Sequence, residues 1–195
     1  MSQKTPTFDD PPDDVVDAFP TAHYQVDVRL DAIADHVRRE MEVGLDVDPP
    51  FQRAHVWTSA QQAAFCEHIL RGGETGITLV AGHVGDLKER PSGRCYLPHY
   101  CLIDGKQRLE AVLALQRGDI PVFAHPGKPG GYFYSGLGPR FRRLHVRLQW
   151  RVLKLSSYGE ILRQYLRMNS GGTAHTEGEL DTVREMLGAL TPSTG

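Results

Sequence analysis

Leu102-Ile103-Asp104-Gly105-Lys106-Gln107-Arg108-Leu109 joins two kinds of periodicity, and the rest of the chain can be laid out around it. Upstream, Tyr96 to Ile103 predicts a strand, with Pro98 marking an edge or a bulge. Downstream, Leu109, Val112, Leu113 and Leu115 recur at helical spacing as far as Gly118. A strand that passes through a glycine turn into a helix leaves the first backbone N–H groups of that helix pointing outward. The positive end of the helix dipole lies behind them, and such an end takes an anion. Lys106 and Arg108 add cationic side chains, and a guanidinium can grip a phosphate in bidentate fashion. Asp104 can cap the helix or approach a phosphate-bound Mg2+. The same residues also read as a well-capped helix with exposed basic side chains, because D-x-x-Q is a capping pattern and the turn is not a Walker A loop.

Toward the N-terminus, Ile77 to Ala81 predicts a buried strand followed by a surface loop from Gly82 to Gly93. Ser59 and Gln62 have capping-box spacing at the head of a helix whose apolar face is Ala63, Cys66, Ile69 and Leu70, ended by Gly72-Gly73. Just before it, Pro49-Pro50-Phe51-Gln52-Arg53-Ala54-His55-Val56-Trp57 places an Arg, a His and a Trp in an irregular segment. Phe51 and Trp57 can anchor that segment to the core with Arg53 in solvent. Tyr24, Val26 and Val28 alternate as a strand, and Ile33, Val37 and Met41 mark a short helix closing near Gly44.

Toward the C-terminus, Ile120 to Ala124 predicts a strand, and residues 125–139 a loop around a short Tyr132-Phe133-Tyr134 strand. Leu144, Val146, Leu148 and Trp150 then alternate with His145, Arg147, Gln149 and Arg151, a half-buried strand with a cationic open face. Ile161, Leu162, Tyr165 and Leu166 line a helix that stops at Asn169-Ser170-Gly171-Gly172. Thr176 and Glu179 cap a last helix, faced by Leu180, Val183, Met186, Leu187 and Leu190. Short strands of antiparallel type mixed with helices indicate an α+β fold.

The chain has 195 residues, 40% of them hydrophobic, enough for one sizeable core. Residues 1–20 are acidic and proline-bearing, expected as a disordered arm before a single domain over 21–195. No run of eighteen uncharged apolar residues is present, which excludes a membrane span, and the N-terminus lacks the apolar core of a signal peptide. Three cysteines cannot complete a disulfide framework, so a reducing, cytoplasmic setting is expected. Cys95, His99 and Cys101 straddle both faces of a strand and do not suit zinc, and Cys66 reads as a small buried hydrophobe. The net charge of −2 hides a basic segment containing Arg140, Arg142, Arg143, Arg147 and Arg151. With Tyr132 and Tyr134 nearby it is a candidate DNA-binding face, or else a solvated face or a cover for the acidic arm. His55 and His175 lie near the polar segments and are acid–base candidates.

Gln52-Arg53…Trp57, Asp104 to Leu109, and Asn169-Ser170-Gly171-Gly172-Thr173 form a series that none makes alone. In this order they resemble the Q-R-x-x-x-W, D-G-Q-Q-R-L and N-x-G-G-T-like segments of the ParB/sulfiredoxin-like domains at the N-terminus of GmrSD-type restriction proteins. The resemblance runs from about Tyr24 to Leu190. It implies an α+β ParB/sulfiredoxin-like domain, a small mixed sheet flanked by helices with further helices at the C-terminus. In that superfamily the strand–G-x-x-R–helix turn handles nucleotide phosphates. ParB proteins bind and hydrolyse CTP there, and sulfiredoxin and a serine kinase relative transfer phosphate. In the GmrSD-like branch the turn is tied to nucleotide hydrolysis in defence against modified phage DNA.

Carried over, Asp104, Gly105, Lys106, Gln107 and Arg108 become the phosphate and metal site. Gln52 and Arg53 contribute from the facing loop, and Asn169, Gly171, Gly172 and Thr173 from the closing turn. Lys106 departs from the family's usual first Gln. The sequence ends soon after the third segment, so the helical and nuclease modules of the larger proteins are not expected. The implied activity is phosphoryl transfer from ATP, GTP or CTP with Mg2+, to water or to a hydroxyl, including one on a modified DNA base, with Asp104 or His55 as base. A nucleotide-gated DNA- or partner-binding module is the alternative, with a DNA nuclease third. The implied partners are a nucleotide, DNA, and a separate protein or a second copy of the chain.

Overall fold

Trp150 is fully buried at the centre of the molecule, on a strand dictated by the alternation Leu148-Gln149-Trp150-Arg151-Val152. A computed structural model describes residues 22–54, 56–138, 141, 146–169 and 177–190. The elements are β1 (Tyr24–Arg29), α1 (Ile33–Glu42), α2 (Ser59–Leu70), β2 (Thr78–Val84), β3 (Lys88–Glu89), β4 (Cys95–Tyr96), β5 (Cys101–Asp104), α3 (Lys106–Arg117), β6 (Arg147–Leu155), α4 (Tyr158–Asn169) and α5 (Glu177–Leu190). The main sheet has the order β1-β6-β2-β5. β1 and β6 pair antiparallel, β6 and β2 parallel, and β2 and β5 antiparallel, while β3 and β4 form a separate hairpin. This is the expected α+β architecture with a small mixed sheet and flanking helices.

The two faces of the sheet carry separate cores. Leu79, Ala81, Leu102, Leu148, Trp150 and Val152 meet Ile33 and Val37 of α1, Cys66 and Ile69 of α2, and Leu109, Val112 and Leu115 of α3. Each such Leu or Ile removed from water contributes about 1.5–3 kcal/mol. On the other face Val80, Ile103, Leu153 and Leu155 meet Ile161, Leu162 and Tyr165 of α4 and Val183 of α5, together with Phe51 from the loop before α2. That second layer covers the C-terminal half of β6. Arg147 remains exposed on the same face, with Gln149 and Arg151 half-buried.

Several local expectations are corrected. The capping box at α2 is Thr58 with Gln61, one residue earlier than Ser59 with Gln62. The strand over Tyr96 to Ile103 splits into β4 and β5, because His99 turns the chain at φ +48°. β2 continues through Gly82 to Val84, and the following segment contains the β3–β4 hairpin. Ile120 to Ala124 and Tyr132 to Tyr134 are not strands but share one bridge, Val122 with Tyr132. Phe123 at φ +58° breaks that ladder, and Tyr134–Gly136 forms a 3-10 turn. Met41 faces outward from α1. The arm over 1–20, His55, Arg140, Arg142, Arg143, Leu144, His145, Ser170, Gly171, Gly172, Thr173, His175 and Thr176 lie outside the described residues.

Candidate functional site

Gly105 ends β5 and begins α3 at φ +100°, a left-handed conformation that glycine adopts without strain. A Cβ there would stand 2.4 Å from Leu79 Cδ2 and 3.3 Å from Leu79 Cα, so the turn is pressed against β2. No side chain caps this helix start. Asp104 is therefore not the N-cap; its Oδ2 accepts from Nη2 of Arg108 at 2.5 Å. Nη1 of Arg108 donates to the carbonyls of Gly76 and Thr78, each at 2.9 Å. The guanidinium thus joins the end of β5, the first turn of α3 and the entry to β2.

The two residues before Arg108 hold the facing loop. Lys106 is only 7% exposed. A buried ammonium needs a partner, and this one has two. Its Nζ donates to Oδ1 of Asp48 and, at 3.0 Å, to the carbonyl of Arg53. Gln107, 8% exposed, accepts at Oε1 from the backbone N–H groups of Val56 (3.0 Å) and Trp57 (3.1 Å). Its Nε2 donates to the carbonyl of Ala54 at 3.2 Å. Gln52 reaches back in the same way, Nε2 to the carbonyl of Leu102 at 2.6 Å. Phe51 anchors the loop beneath, its ring 5.1 Å edge-on from that of Tyr165 on α4.

These elements enclose a cleft of about 240 Å³ lined by Gln52, Arg53, Trp57, Tyr165 and the run Ile103 to Arg108. Two of the three sequence segments therefore meet in one place. Lys106, Gln107, Arg108 and Gln52 reach it already committed to internal hydrogen bonds. Arg53 is half-buried, and its guanidinium has no hydrogen-bond or ion-pair partner among the described residues. The cleft thus presents one uncommitted guanidinium, the Asp104 carboxylate with one oxygen engaged, and the bare N-terminus of α3. Asn169, at the end of α4, turns its amide back to the carbonyl of Tyr165 at 2.7 Å and does not line the cleft.

Sequence reasoning missed four participants. Asp48 is one of many acids in the first fifty residues, and only the burial of Lys106 reveals what it does. Tyr165 looked like an ordinary core position. The carbonyls of Gly76 and Thr78 carry no side-chain signal at all. Arg147 and Arg151 stand elsewhere, on the polar half of the second sheet face, with Arg147 Nη1 3.7 Å from Asp27 Oδ2. A larger cavity, about 470 Å³, lies beside Arg147 and is lined by Asp27, Arg71, Glu74 and Gln149 among others. Its acids and bases alternate, so it offers no uniform field for a polyanion.

Residues 33–147, more than half of the chain, match the family model described as the N-terminal domain of the GmrSD restriction endonuclease. The chain belongs to this family. The matched span holds both segments that build the cleft, while the Asn169 to Thr173 segment lies beyond it. A search of curated proteins and one of solved structures found no match. Within this GmrSD N-terminal domain, no helix among the described residues is long and apolar enough to cross a membrane. Nor do the described residues gather three His, Cys, Asp or Glu side chains suited to holding a metal ion.

Proposed function

We propose that the cleft binds the phosphates of a nucleoside triphosphate (ATP, GTP or CTP) and that the protein catalyses phosphoryl transfer, to water or to a hydroxyl on DNA, including one on a modified base. The supporting observation is the meeting in one cleft of two elements suited to an anion: the uncapped N-terminus of α3 and the guanidinium of Arg53, which has no partner among the described residues. Phosphoryl transfer asks a protein mainly for positioning and charge neutralisation, which these groups supply. At about 240 Å³ the cleft suits phosphate groups. Whole drug-sized ligands occupy sites of about 300–1,000 Å³, so the base and ribose would extend past its rim.

Mg2+ fits this donor set only as an ion carried by the nucleotide. Asp104 supplies one carboxylate, and Mg2+ ordinarily uses one or two carboxylates together with substrate phosphates. When bound, the ion neutralises charge on the transferring group. Asp104 is also the assigned base for a hydroxyl acceptor, with His55 as its rival. Gly105 lets the backbone approach the phosphates, while Lys106, Gln107, Arg108 and Gln52 hold the walls. Gly171, Gly172 and Thr173 are assigned to closing the site, while Asn169, turned back onto Tyr165, is left out of that role. DNA, the material a restriction system handles, would meet Arg147 and Arg151 together with Arg140, Arg142 and Arg143. A partner protein or a second copy of the chain would complete the assembly.

One observation favours a second reading, a nucleotide-gated module that binds DNA or a partner without chemistry. Most polar side chains of the cleft are tied up internally, which leaves few groups to act as acids or bases. The test uses γ-³²P-labelled nucleotides and Mg2+, with DNA containing plain or hydroxymethylated pyrimidines. Label on DNA identifies a kinase, and free phosphate a hydrolase. A nucleotide-dependent change in DNA affinity without turnover identifies the module. Absence of nucleotide binding, or an Arg53→Ala variant that binds as well as the native protein, overturns the phosphate assignment.

A further inference from the structure

We infer that Asp48 is a positioning residue of this site: by holding the Lys106 ammonium it fixes the backbone at residue 53, beside residues 54, 56 and 57 held by Gln107, and so sets where the Arg53 guanidinium stands over the cleft. The inference rests on the phosphate-binding reading above. Asp48 does not line the cleft, and its side chain is 73% exposed. Its own N–H donates to Oδ1 of Asp46 at 2.9 Å, and Asp46 is tied to β5 through the N–H of Leu102, 2.8 Å from its carbonyl. The carboxylate is thereby presented from a segment laid against the sheet edge.

Lys106 spans the gap. One ammonium bonds the side chain of residue 48 and the carbonyl of residue 53, bracketing a turn closed by the N–H of Gln52 on the carbonyl of Pro49 at 2.9 Å. The next residue on α3, Gln107, takes residues 54, 56 and 57. Two consecutive side chains at one helix start therefore hold residues 53, 54, 56 and 57 of the loop. A buried ammonium is tolerated when its charge is paired and its hydrogens are bonded. Asp48 supplies the charge, and Arg53 supplies an acceptor from its backbone while its guanidinium stays unpaired. Lys106 is thus spent on the loop, and the positive charge left for a phosphate is that of Arg53.

The experiment measures affinity for ATP, GTP and CTP with Mg2+ by titration calorimetry, alongside hydrogen exchange of the amides over 53–57. Asp48→Asn is expected to weaken the best-bound nucleotide by about tenfold or more, the scale of a misplaced contact. Exchange over 53–57 should rise, and Asp48→Glu should restore part of both. Arg53→Ala added to Asp48→Asn should cost little more, because the contact is already lost. Lys106→Met should behave as Asp48→Asn does, and if it fails to fold the Asp48 variants decide alone. An Asp48→Asn protein that binds equally well, or more tightly because a freed Lys106 now reaches the phosphate, overturns the inference while leaving the phosphate reading intact. A native protein that binds no nucleotide brings down both.

Discussion

Arg108 Nη2 lies 2.5 Å from Oδ2 of Asp104, one helical turn back across the glycine turn, while Nη1 of the same guanidinium serves two carbonyls at the entry to β2. The pair is a staple between three elements, and its removal should register as lost stability. Arg108→Ala leaves a partly buried carboxylate and two carbonyls without their donor. Hydrogen bonds to charged groups contribute about 1.5–3 kcal/mol each, so a net loss of about 2–4 kcal/mol is expected. For a chain of this size that lowers Tm by roughly 5–12 °C. Lysine should not rescue it, because one ammonium does not reproduce a planar fork. Arg53→Ala should leave Tm within about 1 °C, since substitutions away from buried networks usually fall within ±0.5 kcal/mol. Thermal denaturation of the three variants checks the contrast.

Gly105→Ala should be worse than its single methyl suggests. The left-handed conformation at φ +100° costs an L residue about 1–2 kcal/mol, and the new Cβ meets Leu79 Cδ2 at 2.4 Å. Overpacking of this kind adds about 1–3 kcal/mol. A lowered urea midpoint with an unchanged m-value is the expected result. Leu79→Ala in the same chain should recover part of the Gly105→Ala loss, which a double-mutant cycle would show.

The three cysteines should separate cleanly by reactivity. Burial pushes the thiols of Cys66 and Cys101 up to about 12, with Glu67 and Asp46 adding to the effect, and Sγ of Cys66 donates to the carbonyl of Ala111 at 3.4 Å. Cys95 is exposed on the β3–β4 hairpin. A thiolate is the reactive form, so a colorimetric disulfide reagent near pH 8 should titrate one thiol in the folded chain and three in denaturant. Cys95→Ser should abolish the fast phase.

Stability should fall below neutral pH. His36 and His83 are both held below the ordinary imidazole value, in each case chiefly by burial. At His83 the neighbouring His23 adds to the depression, its Nδ1 3.3 Å from Nε2 of His83, and Asp86 opposes it. At His36 the carboxylate of Glu40 opposes the burial and Arg39 reinforces it. The folded chain therefore keeps both rings neutral at a pH where the unfolded chain has begun to protonate them. Their contribution is complete above about pH 6.5 and is lost as pH falls from there toward their folded values. Each ring adds a slope of at most about 1.4 kcal/mol per pH unit. Urea midpoints between pH 7.5 and 5.5 should decline, and His83→Gln should flatten the curve.

The strand–glycine–helix passage at Ile103 to Leu109 was legible because each side has its own periodicity and Gly105 punctuates them; Gly118, left-handed at φ +81°, closes α3 where the sequence places it. The β6 strand was legible from Leu148 and Trp150 but runs on to Leu155, since helices cover both faces there and alternation gives way to the buried pair Val152 and Leu153. The capping box slipped by one because Thr58-Ser59-Ala60-Gln61-Gln62 satisfies the pattern in two registers. Ile120 to Ala124 was lost to a backbone torsion at Phe123 that no apolar count reveals. At the cleft, the sequence singles out Gln52, Arg53 and the run Asp104 to Arg108, which line one cavity, but it does not show their bonding. Whether Lys106 faces a phosphate or a carboxylate depends on where Asp48 lies, 58 positions earlier in the chain, and that is fixed only by the third dimension.

Gln107 grips its loop through peptide groups, hydrogen-bonding Ala54, Val56 and Trp57 at their backbone C=O and N–H groups. The side chains of Ala54 and Val56 stand exposed and take no part in that grip. The loop beside the cleft therefore behaves as a fixed rail with interchangeable fittings. Its course is written in α3, and what it displays at positions 54 and 56 is free to drift. Substitutions at these two positions alter the surface beside the cleft and leave intact the frame that carries it.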